Sequence, residues 1–244
     1  MNDPIFKIAN SGWKNFYRIS GATTVVMAAF FLLDTVVWIA LGPYPNNANE
    51  WFILLQSKKL IGLSLLSFPT LIGMFLYYLT FWGLYNILKQ DNEAYAGVGA
   101  IFSFVGLAIL IGTNMAYPMA YLSTQYAAAA TESQKILILA AGETKITTAN
   151  IGMNMGGFFA EIAAVIFSVL MLRSNVFGRM TAYMGIIGHG LDLTRIIMIL
   201  AFLPEGFGAI LLMIGGLPQF LWLILVARRF MQIGLVKSNN YRAI

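Results

Sequence analysis

Residues Ile19 to Leu41 read ISGATTVVMAAFFLLDTVVWIAL, with Asp34 as the single ionisable side chain in the run. The hydrocarbon of a bilayer is about 30 Å thick, and a helix needs about 20 apolar residues to cross it. The stretch is long enough, and Gly42-Pro43 follows it as a stop. No small-residue cleavage site follows a short apolar core, so the segment reads as a retained span, not a cleavable signal peptide.

Five further blocks of the same kind lie downstream. They run over about 60–88, 97–122, 150–172, 180–203 and 207–227, each near the length a span requires. Pro204 stops the fifth, and Arg228-Arg229 closes the sixth. Composition agrees. Apolar residues make up 59% of the chain and charged residues only 10%, where a water-exposed surface takes roughly 25%. The fold class is therefore all-α: a polytopic integral membrane protein, a six-transmembrane-helix bundle with short interfacial helices. Residues 1–244 read as one transmembrane domain.

Charge sets the expected orientation. With the N-terminus inside, that side holds Lys7, Lys14, Arg18, Lys89, Arg173, Arg179, Arg228, Arg229, Lys237 and Arg242, and the other holds Lys58, Lys59, Lys135 and Lys145. Positive charge collects on the cytoplasmic side of membrane proteins, so both termini are expected in the cytoplasm. The net charge of +5 sits mostly at span ends and gives no argument for nucleic acid. The N-terminal stretch with Ile5, Phe6, Ile8, Trp13, Phe16 and Tyr17 among basic residues suits the inner headgroup layer.

Two outer loops carry helix signals. Thr131-Glu132-Ser133-Gln134 is a capping-box sequence, and Gly142 is a candidate C-terminal stop. The spacing predicts a short interfacial helix over 132–141, lying flat on the outer surface. Trp51 to Leu55 is expected to form another. Spans two and six each carry a mid-helix proline, Pro69 and Pro218.

Ionisable side chains inside spans cost roughly 2.5–3.5 kcal/mol each on insertion scales, so they face a bundle interior or a cavity. This chain places Asp34, Glu161, His189, Asp192 and Arg195 there, with Asn114, Tyr117, Asn154 and Gln219 at similar depth. At about 1.5 Å per residue, these polar groups gather between the midplane and the outer face. Asn150, Asn154, Gly157 and Glu161 share one stripe of span four, and Gly156-Gly157 removes bulk beside it, letting a helix or ligand approach. Asp192 and Arg195 are three apart and can pair. Three carboxylates facing one guanidinium require a bound proton, a cation or water, because isolated buried charge neutralises. Glu161 has no cation on its own helix and is the carboxylate expected to titrate. The nine polar residues named above form the candidate ligand site.

Several chemistries are excluded. Without cysteine there is no disulfide, thiolate metal site or Cys nucleophile. One histidine cannot build bis-His haem ligation or a multi-His iron centre, and His189 reads first as a hydrogen-bonded helix contact. No span carries a lysine for a retinal Schiff base. No P-loop, dinucleotide fingerprint or Gly-x-Ser-x-Gly occurs. No metal, cofactor or reaction is specified.

Tyr17-Arg18-Ile19-Ser20-Gly21 at the entry to span one, the six-span length, and Leu217-Pro218-Gln219-Phe220-Leu221-Trp222-Leu223 in span six resemble a bacterial membrane-protein family called domain of unknown function 4386. The resemblance implies six helices in a bacterial inner membrane and no chemistry. His189-Gly190-Leu191-Asp192-Leu193-Thr194-Arg195 is not assigned to that family. Two functions remain open. One is a protein that binds or transports a small polar or cationic ligand, or a proton, through an outward-facing pocket formed by Asp34, Glu161, Asp192 and Arg195 with their polar neighbours. The other is a non-catalytic accessory or scaffold subunit of a larger membrane complex. The partners implied are the lipid bilayer and either a small molecule or other membrane subunits.

Overall fold

The computed structural model describes residues 12–41, 44–201 and 206–235. Ile5, Phe6 and Ile8, the stop at Gly42-Pro43, and Pro204 lie outside the described residues. Among the described residues the chain forms nine helices: α1 Lys14–Leu41, α2 Ala48–Ser57, α3 Lys59–Leu65, α4 Phe68–Leu88, α5 Glu93–Thr113, α6 Ala116–Ala128, α7 Glu132–Met171, α8 Arg179–Leu200 and α9 Gly206–Leu235. Six stretches are long and apolar enough to cross a bilayer: α1, α4, α5 with α6, α7, α8, and α9 from Ile210. The protein is a polytopic helical membrane bundle.

The spans pack as a closed ring in chain order. α1 packs on α4, α4 on α5, α5 on α7, α7 on α8, α8 on α9, and α9 returns to α1. The interior is filled by Phe81, Leu84, Phe167, Trp222, Val226 and Phe230, all buried. Lipid is as apolar as these side chains, so close packing and hydrogen bonds, not water exclusion, hold the spans together. On the α1–α4 seam Thr24 and Thr80 share a hydrogen bond of 2.8 Å between their hydroxyls, and Ser20 donates to the Leu79 carbonyl at 3.1 Å.

Three sequence expectations need correction. The stretch 60–88 is not one helix. It breaks between α3 and α4, with Ser67 in the left-handed region at φ 54° and Pro69 in the first turn of α4. At that position the missing proline N–H has no intrahelical acceptor to lose, so Pro69 starts a helix instead of kinking one. Pro218, by contrast, does lie inside α9. The third span also divides at Asn114, whose side-chain oxygen accepts from the Ala116 N–H at 2.9 Å and opens α6. Asn114 thus ends α5 and bonds the first N–H of α6.

The third correction concerns residues 132–141. The Thr131–Gln134 capping box is present, but Gly142 does not end the helix. α7 continues for 40 residues, about 60 Å at 1.5 Å per residue, twice the hydrocarbon thickness. Gly142 is buried, and a Cβ there would lie 2.7 Å from the Ala48 Cβ and 2.9 Å from Phe52 Cζ. An interior glycine weakens a helix by up to about 1 kcal/mol, and here the close approach of α2 outweighs that loss. The first half of α7 therefore continues the span as one helix and packs against α2 and α6 in a cap, instead of forming a separate interfacial helix.

Trp51 to Leu55 do form a helix, α2, capped by Asn47, but Trp51 and Phe52 are core residues of the cap with Leu55, Leu65 and Met119. Charges on α7 complement helix ends. Glu143 accepts from the Ala48 N–H at the start of α2 at 2.7 Å, and Lys145 donates to the Thr113 carbonyl at the end of α5 at 3.0 Å. Both signs suit the helix dipole.

Candidate functional site

α7, α8 and α9 meet along a seam that small residues make possible. A Cβ on Gly188 would lie 2.6 Å from the Gln219 backbone nitrogen, and one on Gly215 would lie 3.2 Å from the Gly188 carbonyl. α8 and α9 therefore cross nearly backbone to backbone. That crossing draws the next side chains of each helix inward. The i, i+4 periodicity then turns Glu161 and Ser168 of α7, His189 of α8, and Gln219 and Trp222 of α9 toward one another.

The central contact joins His189 Nδ1 and Glu161 Oε2 at 2.6 Å. His189 is 5% exposed, and Glu161 exposes 16% of its side chain. The His189 ring meets Trp222 edge to face, with centroids 4.7 Å apart. Gln219 Nε2 donates to the Gly188 carbonyl at 3.3 Å. Glu161 lies about 15 Å from the end of α7, and His189 a similar distance from the start of α8, at 1.5 Å per residue. The pair is therefore near the middle of the hydrocarbon.

One turn further along α8, Arg195 Nε donates to Asp192 Oδ1 at 2.5 Å. Both groups are mostly buried and within electrostatic reach of Glu161, as is Tyr77 on α4. The fixed guanidinium thus has its own carboxylate. Among the described residues, the direct ion-pair partner of Glu161 is an imidazole, whose charge depends on a proton.

The expected site is brought together in part. Glu161, His189 and Gln219 converge, and Asp192 and Arg195 stand beside them. Asp34 does not join: it accepts a hydrogen bond from the Thr70 hydroxyl on the α1–α4 seam. Asn154 bonds the Asn150 carbonyl of its own helix at 3.0 Å, and Tyr117 is 72% exposed on α6. Gly156 packs against α5 and Gly157 faces Ile196 of α8, so the glycine pair admits helices on both sides. Sequence reasoning missed Trp222, Ser168 and Tyr77. Ser168 was findable as the residue seven beyond Glu161, on the same stripe, and Trp222 as the residue three beyond Gln219. Among the described residues no group of three or more His, Cys, Asp or Glu side chains is arranged to hold a metal ion.

Residues 19–227 match the model of the family described as Domain of unknown function (DUF4386). The match covers most of the chain, and the protein belongs to that family. No curated protein and no solved structure matches it.

Proposed function

We propose that this member of the DUF4386 family is a bacterial inner-membrane protein that binds a proton at the Glu161–His189 pair, coupled to a small polar or cationic ligand. The observation that carries this is the 2.6 Å contact of the pair at mid-membrane, where, among the described residues, Glu161 forms its ion pair with an imidazole while the Arg195 guanidinium pairs with Asp192. With one proton the pair is neutral, with two it is cationic, and with none it is anionic. Arg195 is engaged by Asp192, so the local charge changes through a proton or an arriving cation. Paired ionisable groups at such depth are expensive and mark proton relays and ion pathways. The groups facing Glu161 are His189, Asp192 and Arg195 from α8 and Tyr77 from α4.

Infrared difference titration of the purified protein tests this reading. We expect a pH-dependent carboxylic-acid C=O band that disappears in Glu161→Gln and shifts its midpoint in His189→Asn. A titration unchanged by Glu161→Gln would remove the proposal.

The proposed orientation puts the face where α1 begins and α9 ends in the cytoplasm, on the bias of ten basic residues against four. Reporter fusions after Lys89, Arg173 and Ile244 should all read cytoplasmic. A periplasmic signal at any of the three overturns it.

The cap supports a second reading. Tyr117 and Tyr121 on α6, and Ile136 and Leu137 on α7, are exposed, and the length of α7 carries its first half beyond the hydrocarbon. Exposed apolar side chains beyond the hydrocarbon would mark contact surfaces, as an accessory or scaffold subunit requires. The two readings assign opposite roles to the Glu161–His189 pair: a titrating site in one, helix glue in the other.

A further inference from the structure

Three buried polar atoms around the pair, Ser168 Oγ, His189 Nε2 and Trp222 Nε1, have no hydrogen-bond partner among the described residues. They come from three helices, α7, α8 and α9, and all three residues are at least nine-tenths buried. They are also neighbours. Ser168 Oγ and Trp222 Nε1 both crowd the point above the Gly185 Cα where a side chain would begin, and the Trp222 ring packs on His189. Burying a polar group without a partner costs roughly 1–3 kcal/mol, so three on adjoining side chains form a site with unmet hydrogen-bonding capacity.

The site lies between the pair and a cavity. One turn from Gly185 along α8, and one turn from Trp222 along α9, Thr181 and Leu225 line a recess of about 350 Å³ with Gly178, Arg228, Arg229 and Gln232. The recess is at the face where α9 ends, and its polar lining suits water. The polar stripe of α8 thus runs from Arg195 and Asp192 through His189 and Gly185 to Thr181, half a membrane further than the outer pocket foreseen from sequence.

We infer that Ser168 Oγ, His189 Nε2 and Trp222 Nε1 bind a single water-sized molecule able both to donate and to accept, and that the Glu161–His189 pair exchanges its proton through it with the recess beside Arg228. Trp222 Nε1 can only donate, whereas the Ser168 hydroxyl does either, so the ligand must accept from the indole and can donate to the hydroxyl. Water does both. A proton entering the imidazole at Nδ1 from Glu161 is matched by one leaving Nε2 to the bound water, which passes one of its own protons toward Thr181. Glu161 is left as a carboxylate, the imidazole returns to neutral, and nothing is oxidised or reduced. This inference rests on the proposed proton site, but its test does not use Glu161 titration, so the two fail separately.

The chain contains no cysteine, so single cysteines report without background. Thr181→Cys, Ser168→Cys and the control Ala163→Cys, buried in the apolar core, are exposed to Ag⁺, a thiol-reactive ion near the size of water, in inverted and in right-side-out membrane vesicles. Remaining thiols are then counted with a maleimide polymer after unfolding. Ag⁺ should block Thr181→Cys and Ser168→Cys from the face carrying Arg228 at least tenfold faster than Ala163→Cys. In the unmodified chain, the Trp222 indole N–H, assigned with Trp222→Phe, should exchange in D₂O within minutes. The inference is overturned if Ser168→Cys reacts no faster than Ala163→Cys, or only from the opposite face. It is equally overturned if the indole N–H is protected for hours.

Discussion

Gly106→Leu is expected to leave little folded protein, and even Gly106→Ala should lose about 2–3 kcal/mol, in the range of overpacked cores. A Cβ at Gly106 on α5 would lie 2.7 Å from the Ala160 backbone nitrogen and 2.7 Å from the Gly156 carbonyl of α7. Gly156 returns the contact, since its own Cβ would lie 2.9 Å from the Gly106 carbonyl. These are backbone atoms and cannot swing aside as a side chain would. One methyl must separate two spans that otherwise touch along their length, and dispersion contact falls off steeply with such a gap. Gly97, on the same helix, has nothing within 4 Å of its Cβ position. Gly97→Ala should therefore stay within about 0.5 kcal/mol of the parent, as surface changes do. Thermal unfolding in detergent, followed by the monomer surviving on size exclusion, separates the two. Equal survival of Gly106→Ala and Gly97→Ala would mean that the α5–α7 crossing does not hold the bundle. The crossing also has a functional consequence. Ala160 precedes Glu161 in the chain, so a displaced α7 carries the carboxylate away from His189.

That example shows why the spans were legible in the sequence and the site only partly so. Span existence depends on local quantities, namely apolar length and flanking charge, and six long apolar helices are legible from them. Helix continuity depends on tertiary contacts. Gly142 looks like a stop by propensity, yet α2 packs on it and the helix runs on. Asn114 and Thr70 look like intramembrane polar residues, but their depth does not reveal that one bonds the first N–H of α6 and the other donates to Asp34. Glu161, His189 and Gln219 were named because ionisable or amide groups in a span are conspicuous. Trp222 reads in the sequence as one more large side chain of span six, and only the packing around Gly185 brings its indole nitrogen and the Ser168 hydroxyl to one point. Depth can be counted along a helix. Which faces meet across the ring requires the helix rotations, and no single stripe fixes those.

The double variant Glu161→Leu/His189→Leu should be more stable than His189→Leu alone, and should have lost the titrating carboxyl band. Removing one member of a buried pair leaves the other without its partner and costs about 3–5 kcal/mol in the interior of soluble proteins. Hydrogen bonds between spans couple more weakly, about 0.6 kcal/mol on average and up to about 1.7, because the orphaned group finds other partners in the membrane. Glu161 has a further escape, since it can take a proton and bury as a neutral acid. For His189→Leu we therefore expect a loss of about 1–3 kcal/mol, between these limits. Replacing both residues removes the orphan and leaves two apolar side chains in an apolar seam, which is often neutral or stabilising. The coupling between the two sites should be at least about 1 kcal/mol, within the range for residues in contact. A site kept for proton binding predicts this split: fold retained, titration and any proton-linked ligand response gone. A pair kept as helix glue predicts the reverse ordering, with the double variant the least stable of the three and the seam between α7 and α8 loosened. Unfolding midpoints of the two single variants and the double variant, measured beside the infrared titration, give the ordering directly. A double variant below both singles would reject the proton site and assign the pair to holding α7 against α8.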